Sequence, residues 1–191
     1  MTPFQVQLFD GEQVRLMAFN PEKDSEVEAR WTSDPDFWRL TSLKPACPLS
    51  TAQVKKRREA WEKEAREKRN RFDFAIRLRA DDRLVGYAHI DSLEWNHGHA
   101  WLHLAIGDPA DRGQGYGSEA MRLLLRYAFH ELNLYRLTTD TFEYNPRGVK
   151  FLERHGFVLE VRRRQAILRD GKRWDEYRFG LLREDWERPG K

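Results

Sequence analysis

A glycine-rich turn, Arg112–Gly117, sets the strongest limit on the fold of this chain, because it joins a predicted strand to the best-defined predicted helix. Its glycines occupy alternate positions, 113, 115 and 117. Glycine adopts backbone conformations that other residues avoid, so the turn can aim several N–H groups at one point. The N-terminus of the following helix adds partial positive charge there. We predict an anion site, best matched to a pyrophosphate.

The turn differs from the two common nucleotide-phosphate loops. A P-loop ends in Gly-Lys-Ser/Thr, whereas Gly117 is followed directly by Ser118. The dinucleotide pattern Gly-x-Gly-x-x-Gly is excluded by the alternate spacing of the three glycines. A glycine-rich turn that binds nothing stays open as the alternative.

Composition favours one soluble domain over residues 1–191, with a net charge of +3 and seven Trp among 40% hydrophobic residues. Interspersed charges of both signs are usual for a solvated surface, and the aromatic residues are not interleaved with a basic strip, so a nucleic-acid-binding module is a distant alternative and no nucleic-acid partner is expected. No stretch approaches the roughly 20 apolar residues of a membrane span, and the start lacks the layout of a secretory signal. We therefore expect a cytoplasmic protein without a membrane partner. The single cysteine, Cys47, excludes an internal disulfide and a cysteine-based zinc cluster.

Hydrophobic periodicity predicts the order β-α-α-β-β-β-α-β-α-β-β. The predicted strands are 12–19, 72–79, 83–93, 100–106, 136–142, 158–168 and 174–182. The predicted helices are 21–32, 50–69, about four turns after Gly117, and 146 to Gly156. Short polar connections predict that strands two to four form an antiparallel meander. Asp34-Pro35 is predicted to end the first helix and begin a loop.

Three local signals support these boundaries. Ser50 and Gln53 form a capping-box pattern at the start of a helix. Asn145 followed by Pro146 is typical of an N-cap and a first helical position. Asp170-Gly171 is a favoured hairpin turn between the last two strands.

Two segments in this order resemble the GNAT N-acetyltransferases. The turn Arg112–Gly117, after a strand ending Ile106–Pro109, is similar to the acetyl-CoA pyrophosphate loop of that family. Asn145, followed by a short helix and Phe151–Phe157, resembles the family segment that begins with a cofactor-contacting Asn. The resemblance covers nearly the whole chain and is sharpest from Ala100 to Phe157.

Flanking residues resemble the RimJ/RimL-type branch, which includes ribosomal-protein N-terminal acetyltransferases and spermidine N-acetyltransferases. They are Trp31, Asp34-Pro35, Asn133–Arg136 and Leu181–Trp186.

The resemblance implies an α/β GNAT acyl-CoA acyltransferase fold. Its mixed, mainly antiparallel sheet is splayed after the fourth strand and flanked by helices, and the pantetheine arm of acetyl-CoA inserts as a pseudo-strand. The implied cofactor-binding residues are Ala105, Ile106 and Gly107 for the arm, Arg112, Gly113, Gln114, Gly115, Tyr116 and Gly117 for the pyrophosphate, and Asn145 nearer the thioester. Acetyl-CoA is thus the expected cosubstrate, without a metal, and a homodimer is plausible by family analogy.

The reaction implied is direct acetyl transfer to a primary amine, with a protein or peptide N-terminus as the preferred acceptor. A polyamine or other small amine is the enzymatic alternative, and an inactive acyl-CoA-binding domain is the non-enzymatic one. An aliphatic ammonium has a pKa near ~10.4 and an α-ammonium near ~8, so a base or a water chain must remove a proton. Asp140 and His103 are the candidates. The structural alternatives are an Asp140–arginine ion pair and a half-buried packing histidine.

The residue at the position of the family's general acid differs in this chain. Many GNATs carry a thiolate-protonating Tyr seven residues after the Asn, where this chain has Leu152, and some RimL-like proteins carry a Ser where it has Gly148. Tyr144 and Tyr116 are possible substitutes, and water is another, since a thiolate leaves readily. Cys47 lies far from the motifs and is not expected to be a nucleophile.

Two further clusters have alternative interpretations. His97, His99 and His103 lack a clear carboxylate or fourth ligand, so a surface turn is favoured over a metal site. The aromatic residues Trp95, Trp101 and Trp174 and the acidic residues Glu94, Glu143 and Asp175 either line an acceptor pocket or have structural roles.

Overall fold

The computed structural model describes residues 7–188, in which seven strands and six α-helices are formed. The strands are β1 (Val14–Met17), β2 (Phe72–Leu78), β3 (Leu84–Glu94), β4 (His99–Ile106), β5 (Arg136–Phe142), β6 (Val158–Arg169) and β7 (Lys172–Leu182). The helices are α1 (Pro21–Thr32), α2 (Pro35–Thr41), α3 (Thr51–Lys68), α4 (Tyr116–Arg126), α5 (Pro146–Arg154) and α6 (Arg183–Glu187). All seven strands join one sheet of order β1-β2-β3-β4-β5-β7-β6.

Local capping explains where the helices begin. Ser50 Oγ accepts from the Gln53 N–H at 3.3 Å and Gln53 Oε1 accepts from the Ser50 N–H at 2.8 Å, which confirms the predicted capping box. The prediction of a loop after Asp34-Pro35 is wrong, because α2 begins at Pro35. Asp34 accepts from the Asp36 N–H at 2.9 Å and caps α2, with Pro35 at its first position.

Two other features at helix ends were not predicted. A short helix, α6, follows β7 without a side-chain cap. A π-helical turn, Tyr127–Glu131, continues α4. Its packing against the core keeps this irregular turn in place, since Tyr127, Ala128 and Phe129 are buried.

The first four strands form the antiparallel meander that the sequence predicts. The largest core cluster lies between this sheet and α4, where Ala120, Met121 and Leu124 are at most 1% exposed. The buried Glu119 carboxylate accepts main-chain N–H groups at the start of β1 and so ties α4 to the sheet.

The sheet opens between β4 and β5. These strands are parallel and pair only through His99–Trp101 and Arg136–Thr138. Both strands continue beyond that register without pairing to each other, while β5 pairs along its whole length with antiparallel β7. The predicted mixed sheet, splayed after its fourth strand, is therefore confirmed.

Among the helices of residues 7–188, none combines the length and apolar character needed to cross a membrane.

Candidate active site

A cavity of about 400 Å³ lies where β4 and β5 diverge, and we call it the cleft. Leu102–Ala105 of β4 form one wall, and Thr139–Phe142 of β5 form the opposite wall. Helix α5 and its N-cap contribute Asn145, Gly148, Phe151 and Leu152, and α2 and α3 contribute Phe37, Trp38 and Trp61. The two diverging strands thus form the walls of the cleft, and the helices α2, α3 and α5 complete its lining.

The glycine turn stands beyond the end of β4. Gly113 and Gly115 have φ of +82° and +93°, conformations that L side chains rarely adopt. A Cβ on Gly113 would meet no atom within 4 Å, so this turn leaves open space beside its backbone. Gly115 is the N-cap of α4 and provides no side-chain cap. The first N–H groups of α4 are therefore available to an external anion.

Arg112 fixes the end of β4. Its guanidinium donates to the Ile106 carbonyl at 3.2 Å and the Gly107 carbonyl at 2.6 Å. The Gly107 N–H donates to Val85 O at 3.0 Å, and a side chain at Gly107 would overlap the ring of Trp31. Both main-chain groups of Gly107 are thus engaged within the protein.

The alternating direction of the main-chain N–H and C=O groups along β4 determines which of its residues face the gap. Gly107 pairs toward β3, and its neighbours along the strand point their main-chain groups alternately toward β3 and toward the gap. Ala105 therefore faces Tyr87, whereas Leu104 and Ile106 face the gap. Of the three residues predicted for the pantetheine arm, Ile106 alone offers an N–H there, and sequence reasoning missed Leu104.

Two other residues of the predicted turn make internal contacts. Gln114 Nε2 lies 3.5 Å from Ala110 O. Tyr116 packs partly buried against the main core.

Asn145 has a structural role at the base of the cleft. Its Oδ1 accepts from the Gly148 N–H at 2.9 Å, as predicted for an N-cap, and its Nδ2 donates to Thr141 Oγ1 at 3.2 Å. A Cβ on Gly148 would overlap this amide, so a side chain there requires Asn145 to move. Asn145 therefore positions α5 against β5 while lining the cleft.

The residue at the position of the family's Tyr faces the cleft. Leu152 lines it and is 6% exposed. Tyr144 is engaged elsewhere: its hydroxyl donates to Arg39 O at 2.9 Å, and burial raises its pKa. Neither Tyr144 nor Tyr116 is among the residues that line the cleft, so the hydrocarbon of Leu152 occupies this part of the wall.

Asp140 lies on the β5 wall and is half-buried. Its register partner on β7, Arg178, lies 4.0 Å from Glu176 and over the ring of Trp101 at 5.3 Å. We find no cationic nitrogen within 4 Å of the Asp140 carboxylate among residues 7–188, so the arginine pair considered as its structural alternative is not formed there.

His103 belongs to a polar cluster that the sequence did not reveal. Its ring stacks on His89 of β3, with centroids 4.6 Å apart and planes 25° apart. Asp91 Oδ2 lies 3.5 Å from His89 Nε2, and Asp91 Oδ1 lies 3.9 Å from His103 Nε2. His89, Asp91 and His103 all line the cleft. The signal was the alternation of Tyr87, His89 and Asp91 along one face of β3.

His89 is held neutral. Burial lowers its pKa well below 6.5, and the neighbouring His103, Arg71 and Arg58 act in the same direction. Its Nδ1 is buried without a hydrogen-bond partner within the part of the chain described. His89 is therefore a neutral, stacked imidazole at physiological pH.

His97, His99 and His103, for which a metal site was the less favoured alternative, do not form a cluster among residues 7–188. His99 Nε2 lies 2.9 Å from Thr138 Oγ1, and His97 Nε2 lies 3.1 Å from the Asn96 amide. Ligand atoms of His89, Asp91 and His103 do lie within 4.8 Å of one another. However, the two rings are nearly parallel, and imidazole lone pairs lie in the ring plane, so they do not converge on one ion.

The aromatic and acidic residues considered for an acceptor pocket lie outside the cleft lining, with Trp38 and Trp61 in place of the predicted tryptophans. Trp95 is 53% exposed, and Trp174 packs against Tyr144 with centroids 5.6 Å apart. Glu143 accepts from the Asp175 N–H at 2.9 Å, and Asp175 accepts from the Gln165 N–H at 2.8 Å. These acids hold the β6–β7 hairpin instead of facing the cleft.

Comparison with known proteins agrees with this geometry. The acetyltransferase (GNAT) domain family matches residues 13–158. The chain is 30% identical to the SPbeta prophage-derived N-acetyltransferase YokL of Bacillus subtilis over 183 residues, 95% of this chain and 97% of that protein. It is also 30% identical to the probable N-acetyltransferase YjcK of Bacillus subtilis over 155 residues, 80% and 84% of the two chains.

Solved structures share the fold. Spermidine N-acetyltransferase from Vibrio cholerae, solved in complex with CoA and spermine, superposes with a TM-score of 0.78 at 19% identity, covering 91% of this chain and 98% of that one.

Proposed function

Because this chain belongs to the GNAT family and is an acetyl-CoA-dependent N-acetyltransferase, we propose that its acceptor is the α-amino group of a protein or peptide. The observation that carries the proposal is the charge of the cleft. Its lining contains two carboxylates, Asp91 and Asp140, and two cations, Lys44 and Arg57. A site with balanced charge suits one ammonium followed by a neutral backbone.

Aromatic side chains supply the rest of the acceptor side. Phe37, Trp38, Trp61 and Tyr87 all line the cleft. Such surfaces pack against the side chain and the peptide planes that follow an N-terminal amine. One anchored ammonium and an apolar wall are the contacts that an N-terminal peptide needs.

The protein's contribution to the reaction is orientation. The first N–H groups of α4 and the glycine turn hold the pyrophosphate of acetyl-CoA, and the gap-facing edge of Leu104 and Ile106 aligns the pantetheine arm. The amine nitrogen loses one proton to a base and attacks the thioester carbonyl. The C–N bond forms, the C–S bond breaks, and the CoA thiolate takes up the second proton from nitrogen.

A polyamine is the second candidate acceptor, favoured by the fold shared with a spermidine N-acetyltransferase. Spermidine carries several positive charges, and each ammonium removed from water needs its own anionic partner. Of the two carboxylates in the described lining, Asp91 already pairs with Arg71 at 3.1 Å, whereas Asp140 has no cation within 4 Å among residues 7–188. One unpaired carboxylate supports the peptide acceptor over the polyamine.

An assay of CoA thiol release distinguishes the two candidate acceptors. Free CoA is followed at one acetyl-CoA concentration with a panel of N-terminal peptides, their N-terminally blocked counterparts, spermidine and spermine. We expect turnover with free peptides and none with blocked ones. Turnover confined to polyamines would transfer the function to the second candidate. Acetyl-CoA binding without thiol release from any amine would favour an inactive binding domain.

We also propose that the chain belongs to the RimJ/RimL-type branch, that it is cytoplasmic and that it forms a homodimer. The edge strand β6 supports self-association, because it exposes Val158, Leu159, Val161 and Leu168 by 44–60%. Sedimentation equilibrium of the full chain tests the dimer, and a monomer at micromolar concentration would refute it.

A further inference from the structure

The cluster of His89, Asp91 and His103 stands on the cleft wall that the pantetheine arm follows. His103 is adjacent in β4 to Leu104, whose main chain faces the gap, and its side chain is 33% exposed, so an amine in the cleft can reach it. Asp91 and His89 lie behind it on β3, with side chains 22% and 14% exposed. The cluster therefore has one accessible imidazole and two supporting groups.

We propose that His103 is the general base for the acceptor amine, with Asp91 and His89 as its positioning residues. This inference rests on the proposed acetyl transfer and is independent of which amine is the acceptor. His103 accepts one proton from the ammonium, which frees the nitrogen lone pair for attack on the thioester. The imidazolium later releases that proton to solvent, so the histidine is restored after each turnover.

Asp91 divides its two oxygens between different partners. Oδ2 accepts from Arg71 at 3.1 Å and faces His89, whereas Oδ1 is directed at His103 Nε2. The 3.9 Å separation is longer than a hydrogen bond, but such contacts commonly tighten, or are bridged by water, when substrate is bound. Asp91 is thus placed to stabilise the imidazolium that forms on His103.

His89 gives His103 a flat, uncharged support. If both stacked rings were protonated, two cations would lie with centroids 4.6 Å apart, which is unfavourable in a partly buried site. Because burial keeps His89 neutral, the proton goes to the more exposed ring. Trp101 continues the stack on the other side at 6.3 Å and 10°.

Several other charges face this cluster and bear on its pH dependence. Asp140 faces the cleft from β5, and Arg178 of β7 lies over Trp101. Arg58 of α3 and Arg71 and Asp73 at β2 lie behind it, where Asp73 accepts from Arg71 at 2.6 and 2.7 Å. Asp73 shares the arginine of Asp91 without an ion pair to either imidazole, and it is therefore a matched control.

The test is the pH dependence of kcat/KM with whichever amine supports turnover. We expect His103→Gln to lower kcat by about 10²–10⁴-fold and to remove the acidic limb. Asp91→Asn removes the anion that stabilises the imidazolium formed on His103, so we expect kcat to fall about tenfold while the KM for acetyl-CoA is unchanged. Asp73→Asn leaves both constants in place. Equal falls in kcat in Asp91→Asn and Asp73→Asn would reduce Asp91 to a structural role and overturn its assignment.

His89 is tested by rescue. His89→Ala removes the support and lowers kcat, whereas His89→Phe restores most of it because the stacked ring is kept. His97→Gln in the preceding turn is the control for a histidine outside the cleft, with no expected change. Equal activity in the Ala and Phe variants would refute the stacking role.

Two further readouts separate this inference from the acceptor assignment. The imidazole NMR signals of His103 should move in Asp91→Asn and stay in place in Asp73→Asn, with or without an acceptor, and signals unmoved in Asp91→Asn would overturn the contact. Chelator-treated enzyme should keep its activity. Activity that is lost to chelation and restored by Zn²⁺ bound at His89 and His103 would replace the base with a metal site.

Discussion

Trp101 of β4 and Thr138 of β5 are the last register pair before the two strands separate. Beyond this pair, β4 keeps its partner β3 on one side, while β5 keeps β7 on the other. Beyond the pair, each strand therefore presents an unpaired main-chain edge to the gap. The cleft, and the access of Asp140 to it, follow from this separation.

Substitution of Leu152 tests whether protonation of the CoA thiolate limits the rate. Leu152→Tyr places a hydroxyl on the cleft wall, and we expect kcat to rise by up to about tenfold, below the usual 10²-fold effect of an acid because water already serves. Leu152→Phe has the same added bulk without the hydroxyl and shares the packing cost of about 1–3 kcal/mol. Thiol release by the two variants is compared, and equal rates would exclude an acid at this position.

Asp140 is expected to attract the ammonium of the acceptor. Asp140→Asn should raise the KM for the amine about tenfold, the loss of one charged contact, while the acidic limb of the pH profile stays in place. Steady-state kinetics against pH give both quantities. A hundredfold fall in kcat with loss of that limb would instead make Asp140 the base and remove His103 from the role.

Burial of His89 makes stability depend on pH. Its folded pKa lies well below the value near 6.5 expected in the unfolded chain, so the unfolded chain binds the proton more readily. The free energy of unfolding therefore falls as pH drops below about 6.5, by at most about 1.4 kcal/mol per pH unit for this group. Urea unfolding between pH 5 and 7.5 should show a flatter dependence in His89→Phe than in wild type. Parallel curves would contradict a neutral buried His89.

Glu119 is expected to be a stability residue. Its carboxylate accepts N–H groups from Glu12, Gln13 and Val14, and a Gln there has one acceptor oxygen in place of two. We expect Glu119→Gln to lower the free energy of unfolding by about 1–3 kcal/mol. Glu153→Gln, at an exposed site on α5, is the control. Equal stabilities of the two variants would show that the anchor is dispensable.

Sequence reasoning found the elements whose signals are local. The helix Pro21–Thr32, the Ser50 capping box and the Asn145 cap depend on residues within one turn, and they are present as predicted. Helix α2 was not predicted although Asp34-Pro35 carries the same kind of signal that marks α5, because Pro after Asp is also typical of a chain break. The splay was expected from the family resemblance and not from the residues themselves.

Of the histidine cluster, only His103 could be predicted from the sequence. His103 was a candidate from its place on the fourth strand, but its pairing with His89 depends on the register between β3 and β4. An irregularity between Asp91 and Glu94 helps to set that register. A bulge of this kind changes which residues face each other, and it has no reliable sequence signature. The roles of Asp91 and His89 therefore required the structure.

Calorimetric titration measures acetyl-CoA binding at the glycine turn directly. Gly115→Val puts a branched side chain at a φ of +93° beside the N-terminus of α4, whereas Gly171→Val imposes the same kind of strain at +70° in the distant β6–β7 turn. We predict that wild type and Gly171→Val bind acetyl-CoA alike, and that Gly115→Val loses at least about tenfold in affinity, or about 1.4 kcal/mol. Equal affinity in all three proteins would contradict acetyl-CoA binding at this turn.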